Sequence, residues 1–224
     1  MLTKSSLHII YLNQVELIKS YMGKSMKKLI SSLLVITSFL LLGCGSASSS
    51  VPAVKETYKE GDKVELKSVS GAKLTLLRKN GGFVIEDDES KIVLIDIFGT
   101  FCAPCQEEAP SLMDFQLQNS DDVMLIGLNF FEEVSDEYVV ENFAAKYNAY
   151  YFITNSPKNK KLVETIVQDI KYKETLQVPF KVVLKDGVYQ KITDIYSANP
   201  ENKFYIGKVG LDIIQKDIDK LMAQ

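Results

Sequence analysis

The feature that most constrains the fold is an apolar run that ends in a tight turn and a pair of cysteines. Residues 92–98 read IVLIDIF, too short for a helix and rich in β-branched side chains, so the run predicts a strand buried on both faces. A turn from Gly99 to Cys105 follows it. Apolar residues then recur at helical spacing, at Ala109, Leu112, Met113 and Leu117. The sequence therefore predicts a buried strand, a turn and a helix that begins at the cysteines.

Two cysteines at the start of a helix suit thiol chemistry. Cys102 and Cys105 are separated by two residues. Free N–H groups and the helix dipole stabilise an anion at a helix N-terminus, so we expect the pKa of Cys102 to be lowered and its sulfur to be nucleophilic. Cys105, one turn later, lies close enough to resolve a mixed disulfide.

The cysteine pair has two other interpretations. A zinc site needs two more soft ligands, and the part of the chain that we expect to be exported offers only Cys44, because the single histidine, His8, lies in the N-terminal segment that is removed. A purely structural disulfide stays open for an exported protein, although such bridges usually close longer loops. We predict no metal and no bound cofactor.

The N-terminal region has the layout of an export signal. Basic residues at 26–28 precede the apolar stretch 29–42, which is shorter than the roughly 20 residues that span a membrane. Leu41 to Cys44 resemble the lipobox of bacterial lipoproteins, and Gly, Ser and Ala follow as a tether. We predict a signal peptide at 1–43 with translation starting at Met26, a lipidated Cys44 and tether at 44–55, and one domain at 56–224. The alternative is an uncleaved anchor helix with an incidental cysteine.

Charge limits the partners. The net charge is −3, and the signal segment holds more lysine than acid, so the exported part is more acidic still. Binding nucleic acid needs clustered Lys and Arg, and we therefore exclude a nucleic-acid partner. His8 leaves with the signal, so proton transfer at the cysteines must use carboxylates.

The rest of the chain mixes strands and helices. Further strands are predicted at 64–67, 74–76, 83–85, 123–129, 150–153, 180–184 and 188–192. Helices are predicted from a cap at Ser135 through Tyr147, at 158–171 and at 206–222. Strands that alternate with helices, followed by a late hairpin at Asp186-Gly187, indicate a mixed α/β sheet.

Residues 93–110 (VLIDIFGTFCAPCQEEAP) resemble the active-site segment of thioredoxin-fold proteins, specifically the membrane-tethered extracytoplasmic reductases of the TlpA/ResA type. The resemblance extends over roughly 51–224. It implies a thioredoxin-like α/β fold in which helices flank a central mixed sheet, with an N-terminal β-hairpin extension. It also implies a helical insertion at 155–177 before a cis-proline loop. Copper chaperones of this fold differ, because they place three residues between their cysteines and add a distal histidine.

The resemblance also implies site residues. Cys102 corresponds to the exposed nucleophile and Cys105 to the resolving cysteine of a redox disulfide. Val178-Pro179 resembles the cis-proline loop, whose backbone pairs with an incoming peptide; without the resemblance, Pro179 is a strand-start proline. The implied substrate-binding residues are Phe101, Ala103, Pro104, Val178 and Pro179, with Phe101 standing where most of the family has Trp.

Two carboxylates are candidates for proton transfer. Asp96 interrupts an apolar strand, where burying an unpaired charge is expensive, and thioredoxins use an Asp at this spacing to deprotonate the resolving cysteine. Glu108 follows Cys105 by three residues and shares its helix face. In TlpA/ResA-type proteins a Glu here sits near the thiols; as a bare sequence feature, a solvated face is equally compatible.

The predicted function is reduction of disulfides in exported proteins, with apocytochrome c as one substrate that the resemblance implies. The oxidised pair would be reset by a membrane thiol-electron donor of the DsbD/CcdA type. The location would be extracytoplasmic (periplasmic), with the lipid on Cys44 in a bacterial membrane. A disulfide oxidase or isomerase on the same fold is one alternative, and a non-catalytic lipoprotein binding module is the other.

Overall fold

The apolar strand predicted at 92–98 is the centre of the main sheet. In the computed structural model, which describes residues 56–224, strand β4 (Ile92–Phe98) is buried along its whole length. It pairs in parallel with β5 (Val123–Asn129) and antiparallel with β7 (Phe180–Lys185). A strand with neighbours on both sides and packing on both faces needs a continuous apolar sequence. The predicted signal peptide, Cys44 and the tether lie outside the described residues.

Shorter strands complete the sheet on both sides. Its order is β6 (Phe152–Thr154), β5, β4, β7 and β8 (Val188–Tyr189), and β9 (Tyr205–Ile206) pairs with the first half of β7. Asp186 and Gly187 join β7 to β8 with φ angles of 54° and 78°. Two consecutive positive φ angles are typical of a hairpin turn, as the sequence predicted at this position. The predicted central mixed sheet is confirmed.

Apolar cores cover both faces of the sheet. On one face lie α1 (Ala103–Gln118) and α4 (Leu211–Met222), and on the other lies α3 (Lys158–Asp169). The hydroxyl of Ser135 accepts a hydrogen bond from the N–H of Tyr138, as expected of the predicted cap. The helix that it caps, α2 (Asp136–Val139), continues as a π-helical segment, Val140–Ala144.

The N-terminal extension is larger than the predicted hairpin. Strands β1 (Lys63–Lys67), β2 (Lys73–Lys79) and β3 (Gly82–Ile85) form a separate three-stranded antiparallel sheet. Its β1–β2 turn reaches the edge of the main sheet, where the N–H of Val69 donates to the carbonyl of Ile153 at 2.8 Å. A β-bridge between Ser68 and Thr154 lies beside this bond.

Two element boundaries were predicted wrongly near the C-terminus. The last helix begins at Leu211 rather than at Ile206, because Ile206 pairs with β7 and the N–H of Gly207 donates to the carbonyl of Pro179 at 2.8 Å. Gly207 has a φ of 72°, which a helix cannot accommodate. The strand predicted at 188–192 ends at Tyr189.

The predicted helix at 158–171 is confirmed as α3, and it supplies the helical part of the segment 155–177. Among residues 56–224, no helix is both long enough and apolar enough to span a membrane.

Candidate active site

Cys102 and Cys105 form a disulfide at the N-terminus of α1. Their Cα atoms are 5.2 Å apart, and Cys102 is the N-cap residue of the helix. The N–H of Cys105 donates to Sγ of Cys102 at 3.3 Å. Cys102 is 7% exposed and Cys105 is 2% exposed. The prediction that Cys102 is the exposed cysteine therefore holds only in comparison with Cys105.

The loop before β7 faces this disulfide. The peptide bond between Val178 and Pro179 is cis, as predicted. The carbonyl oxygen of Val178 lies 3.7 Å from Sγ of Cys102. The structure therefore brings together two segments that are 76 residues apart in sequence.

The surface around Cys102 is apolar and open. Phe101 is 61% exposed, and Ala103 and Pro104 are also exposed. The ring of Phe101 folds back over Gly99, where an added Cβ would lie 2.7 Å from a ring carbon. Val178 is half-buried and Pro179 is buried, so of the predicted substrate-binding residues Phe101, Ala103 and Pro104 offer most of the accessible surface.

Beneath the disulfide lies a buried ionic cluster of Asp96, Glu108 and Lys181. Asp96 on β4 and Lys181 on β7 are directly opposite each other in the sheet, and Nζ of Lys181 is 3.3 Å from Oδ1 of Asp96. The same Nζ donates to Oε1 of Glu108 on α1. The side chain of Lys181 is fully buried, and those of Asp96 and Glu108 are nearly so. The solvated face considered for Glu108 is therefore wrong.

Burial and the charges of neighbouring groups shift the pKa values of these three residues. Burial raises the pKa of Glu108 to about 7; Lys181 opposes this rise and Asp96 adds to it. Burial likewise raises the pKa of Asp96, although Lys181 draws it down. Burial lowers the pKa of Lys181, but the two carboxylates together outweigh it and the net direction is upward.

The sequence analysis missed Lys181 and Tyr151. Lys181 lies in a run that reads as an apolar strand, FKVVLK, and a lysine inside such a run was the available signal. Tyr151, just before β6, places its ring beside Gly127, the residue that pairs with Asp96. Burial, followed by the charges of Asp96 and Glu108, raises the pKa of Tyr151 well above its ordinary value.

These features define the class of the fold. A disulfide caps the helix that follows a central parallel strand, and it faces a cis-proline loop before an antiparallel strand. The chain therefore has a thioredoxin-like α/β fold with a C-x-x-C pair at the position of a redox site. Among residues 56–224, no group of three or more His, Cys, Asp or Glu side chains is arranged to hold a metal ion.

Comparisons with known proteins are in keeping with this class. A stretch of 83 residues is 30% identical to the thioredoxin-like protein YneN of Bacillus subtilis, and it covers 37% of this chain and 44% of that protein. The match thus spans less than half of the relative's length. No family model matches the chain.

Solved structures with distant similarity were also found. StoA from Bacillus subtilis has 14% identity and a TM-score of 0.46, over 70% of this chain and 97% of that one. The thioredoxin domain of a thiol-disulfide oxidoreductase from Bacteroides vulgatus has 15% identity and a TM-score of 0.44, over 74% and 97% of the two chains.

Proposed function

We propose that this chain is an extracytoplasmic thiol–disulfide oxidoreductase that reduces disulfides in exported proteins. The observation that carries the proposal is the Cys102–Cys105 disulfide at the N-terminus of α1, against the carbonyl of Val178. A dithiol at this place transfers two electrons by itself, so the reaction uses no bound cofactor.

The reaction begins at Cys102. In the reduced protein, the N–H of Cys105 and the dipole of α1 stabilise negative charge on Sγ of Cys102. The thiolate attacks a substrate disulfide, forms a bond to one substrate sulfur and releases the other as a thiolate. Cys105 then attacks Cys102, which forms the intramolecular disulfide and releases the second substrate sulfur. The substrate gains two electrons and the protein dithiol loses them.

The second step needs a proton acceptor, because Cys105 must lose its proton before it attacks. Glu108 lies one helical turn from Cys105 on the same face of α1. Its pKa of about 7 suits proton exchange near neutral pH. We assign Glu108 this role, with Asp96 coupled to it through Lys181.

The substrate polypeptide would dock beside the disulfide. An extended peptide can pair with the backbone at Val178, while Phe101 and Pro104 offer an apolar surface to its side chains. Binding through backbone hydrogen bonds depends little on the substrate's sequence. It is therefore compatible with several exported proteins, apocytochrome c among them.

Cys44 would hold the protein on the extracytoplasmic side of a bacterial membrane through a lipid. A membrane thiol-electron donor of the DsbD/CcdA type would then return the Cys102–Cys105 pair to the dithiol. The lipobox-like sequence from Leu41 to Cys44 supports this part of the proposal.

A trapping experiment tests the catalytic proposal. In Cys105→Ser the mixed disulfide on Cys102 cannot be resolved, so partner proteins should accumulate as adducts that a reducing agent releases. Cys102→Ser is the matched control and should trap none. Equal recovery from both variants, or no adduct from either, would refute turnover at this pair.

The reduction potential decides the direction of the reaction. A reductase requires a reduction potential of about −270 mV or lower, whereas a potential of about −120 mV is typical of a strong oxidant. Equilibration of the purified chain with glutathione or dithiothreitol buffers measures it. A reduction potential near that of the strong oxidant would show that the protein is an oxidase on the same fold and not a reductase.

A further inference from the structure

Lys181 is a buried cation to which the proposed function gives no part beyond linking Asp96 to Glu108. It lies near the start of a central strand with no exposed side-chain surface. Burying an ammonium group without partners is very unfavourable, and the structure supplies two, Asp96 and Glu108. The cost of placing this cation among apolar residues indicates a role beyond packing.

The ionic cluster lies on the same side of the sheet as the resolving cysteine. On β4, Asp96 is two residues from Leu94 and two from Phe98, so its side chain lies on the same face of the sheet as theirs. Leu94 and Phe98 belong to the apolar core that includes Cys105. Cys105 and Glu108 are three residues apart on α1, so their side chains share a helix face. The cluster therefore lies on the side of the sheet to which Cys105 would release its proton.

The elements packed around the cluster add few other polar groups. The loop before β6 supplies the hydroxyl of Tyr151, the segment before α4 brings the backbone N–H of Val209 near Glu108, and β5 places uncharged Gly127 opposite Asp96. Oε2 of Glu108 has no hydrogen-bond partner among residues 56–224, so its lone pairs are free to accept a proton.

Charge balance then fixes how many protons the cluster holds. With one cation and two carboxylates, the neutral state carries one ionised and one protonated carboxylate. Without the cation, the neutral state carries two protonated carboxylates and has no base. We propose that Lys181 is a positioning residue that keeps one carboxylate ionised beneath the disulfide, so that Cys105 can pass its proton to the cluster. This inference rests on the oxidoreductase function proposed above.

Proton transfer from Cys105 is coupled to the thiol–disulfide exchange. The S–H bond of Cys105 breaks and its proton moves to the ionised carboxylate of Glu108. The Cys105 thiolate attacks Sγ of Cys102, the protein disulfide forms, and the substrate sulfur leaves with the electron pair. The proton on Glu108 is later given up to solvent or to that leaving thiolate.

Lys181→Met tests the proposal, because it keeps the length of the side chain and removes the charge. The rate at which reduced protein resolves its mixed disulfide with glutathione is measured by stopped flow as a function of pH. Loss of an adjacent cation raises a carboxyl pKa by about one to three units. The pH profile should therefore move to higher pH by about one unit or more, with a loss of about fivefold or more in rate at pH 7.

Three further variants show whether the shift arises in the cluster. Asp96→Asn removes the neighbouring negative charge and should move the profile to lower pH, opposite to Lys181→Met. The formation of the mixed disulfide, followed in a Cys105→Ser background, should not change with Lys181→Met. Lys185→Met makes the same chemical change on the same strand, where the ammonium donates to the carbonyl of Leu221, and should leave the pH profile unchanged.

If Lys181→Met does not fold, Lys181→Met/Asp96→Asn removes one carboxylate together with the cation, and a smaller shift to higher pH is expected, because the two substitutions act in opposite directions and the effect of Lys181 is the larger. Profiles that coincide with wild type, or that shift in the same direction for Asp96→Asn and Lys181→Met, would overturn the role of Lys181. A wild-type chain that forms no mixed disulfide at all would overturn the proposed function as well, so the two failures are distinguishable.

Discussion

The carboxylate of Glu132 binds the turn that carries the cysteines through two hydrogen bonds to Thr100. The N–H of Thr100 donates to Oε1 at 2.5 Å and its hydroxyl donates to Oε2 at 2.8 Å. The side chain of Gln106 holds the same residue from the other side by donating to its carbonyl oxygen at 2.6 Å. Thr100 is buried, so water cannot easily replace these contacts. The loop after β5 thus supports the geometry of the disulfide.

Glu132→Ala should destabilise the domain by about 1.5–3 kcal/mol, the range for hydrogen bonds to a charged group, because it leaves the N–H of Thr100 unpaired. Urea unfolding measures the change. Glu133→Ala is the matched control, since the neighbouring carboxylate takes no part in these two bonds. Equal effects of the two substitutions would contradict the role of Glu132.

Glu108 should make the stability of the protein depend on pH. Its pKa rises from 4.5 to about 7 on folding, so between these values the folded protein keeps a proton that the unfolded chain has lost. The stabilisation from protonated Glu108 is therefore complete below pH 4.5 and is lost as the pH rises to about 7.

In the Glu108→Gln variant the side chain is neutral at every pH, so the stabilisation is no longer lost as the pH rises. Relative to wild type, the variant should gain up to about 3 kcal/mol as the pH rises through that window, since one pKa unit corresponds to about 1.4 kcal/mol. Urea unfolding at a series of pH values measures the difference. A constant difference between the two proteins across the window would show that Glu108 does not titrate there.

Arg78 joins the N-terminal sheet to α3. Its guanidinium donates two hydrogen bonds to Asp169, at 2.6 and 2.8 Å, and both side chains are largely buried. Arg78→Met leaves Asp169 buried without its cation and should lower the free energy of unfolding by about 3–5 kcal/mol.

Lys79→Met provides the comparison for Arg78, because the ion pair between Lys79 and Glu89 is about half exposed and should contribute about 1 kcal/mol or less. Thermal or urea unfolding of both variants checks the prediction. Losses of similar size would mean that the Arg78–Asp169 pair acts like a surface pair.

Phe101 should matter for protein substrates and not for folding. Phe101→Ala is expected to lower kcat/KM for insulin reduction about fivefold or more, the loss of about 1 kcal/mol of apolar contact, with little effect on glutathione disulfide. Stability should change by less than about 0.5 kcal/mol, because the side chain is mostly exposed. Leu117→Ala, at the far end of α1 and equally exposed, serves as the control. A similar loss for both disulfide substrates would rule out a docking role for Phe101.

The buried strands were the most predictable part of the fold. The ranges 92–98 and 123–129 agree with β4 and β5, because a strand covered on both faces must be apolar throughout. The two-residue strand β9 gave no such pattern. Its place is set by pairing with β7 and by the bond from Gly207 to Pro179, which are contacts between distant segments.

The site was predictable in its local parts only. The cysteines and Glu108 are neighbours on one helix, so their spacing alone placed them on a shared face. Lys181 lies 73 residues from Glu108, and its burial depends on the register between β4 and β7, which a single sequence does not reveal. Glu108 is buried against this lysine, which its position on α1 alone could not show.

The contact between the β1–β2 turn and β6 covers part of one edge of the main sheet. A free strand edge invites extended polypeptides to pair with it and aggregate. The β-bridge from Ser68 to Thr154 and the bond from Val69 to Ile153 occupy that edge on the side of the sheet away from the cis-proline loop. Under the proposed function, an extended substrate is thereby hindered from pairing at β6, far from the backbone beside the disulfide where exchange takes place.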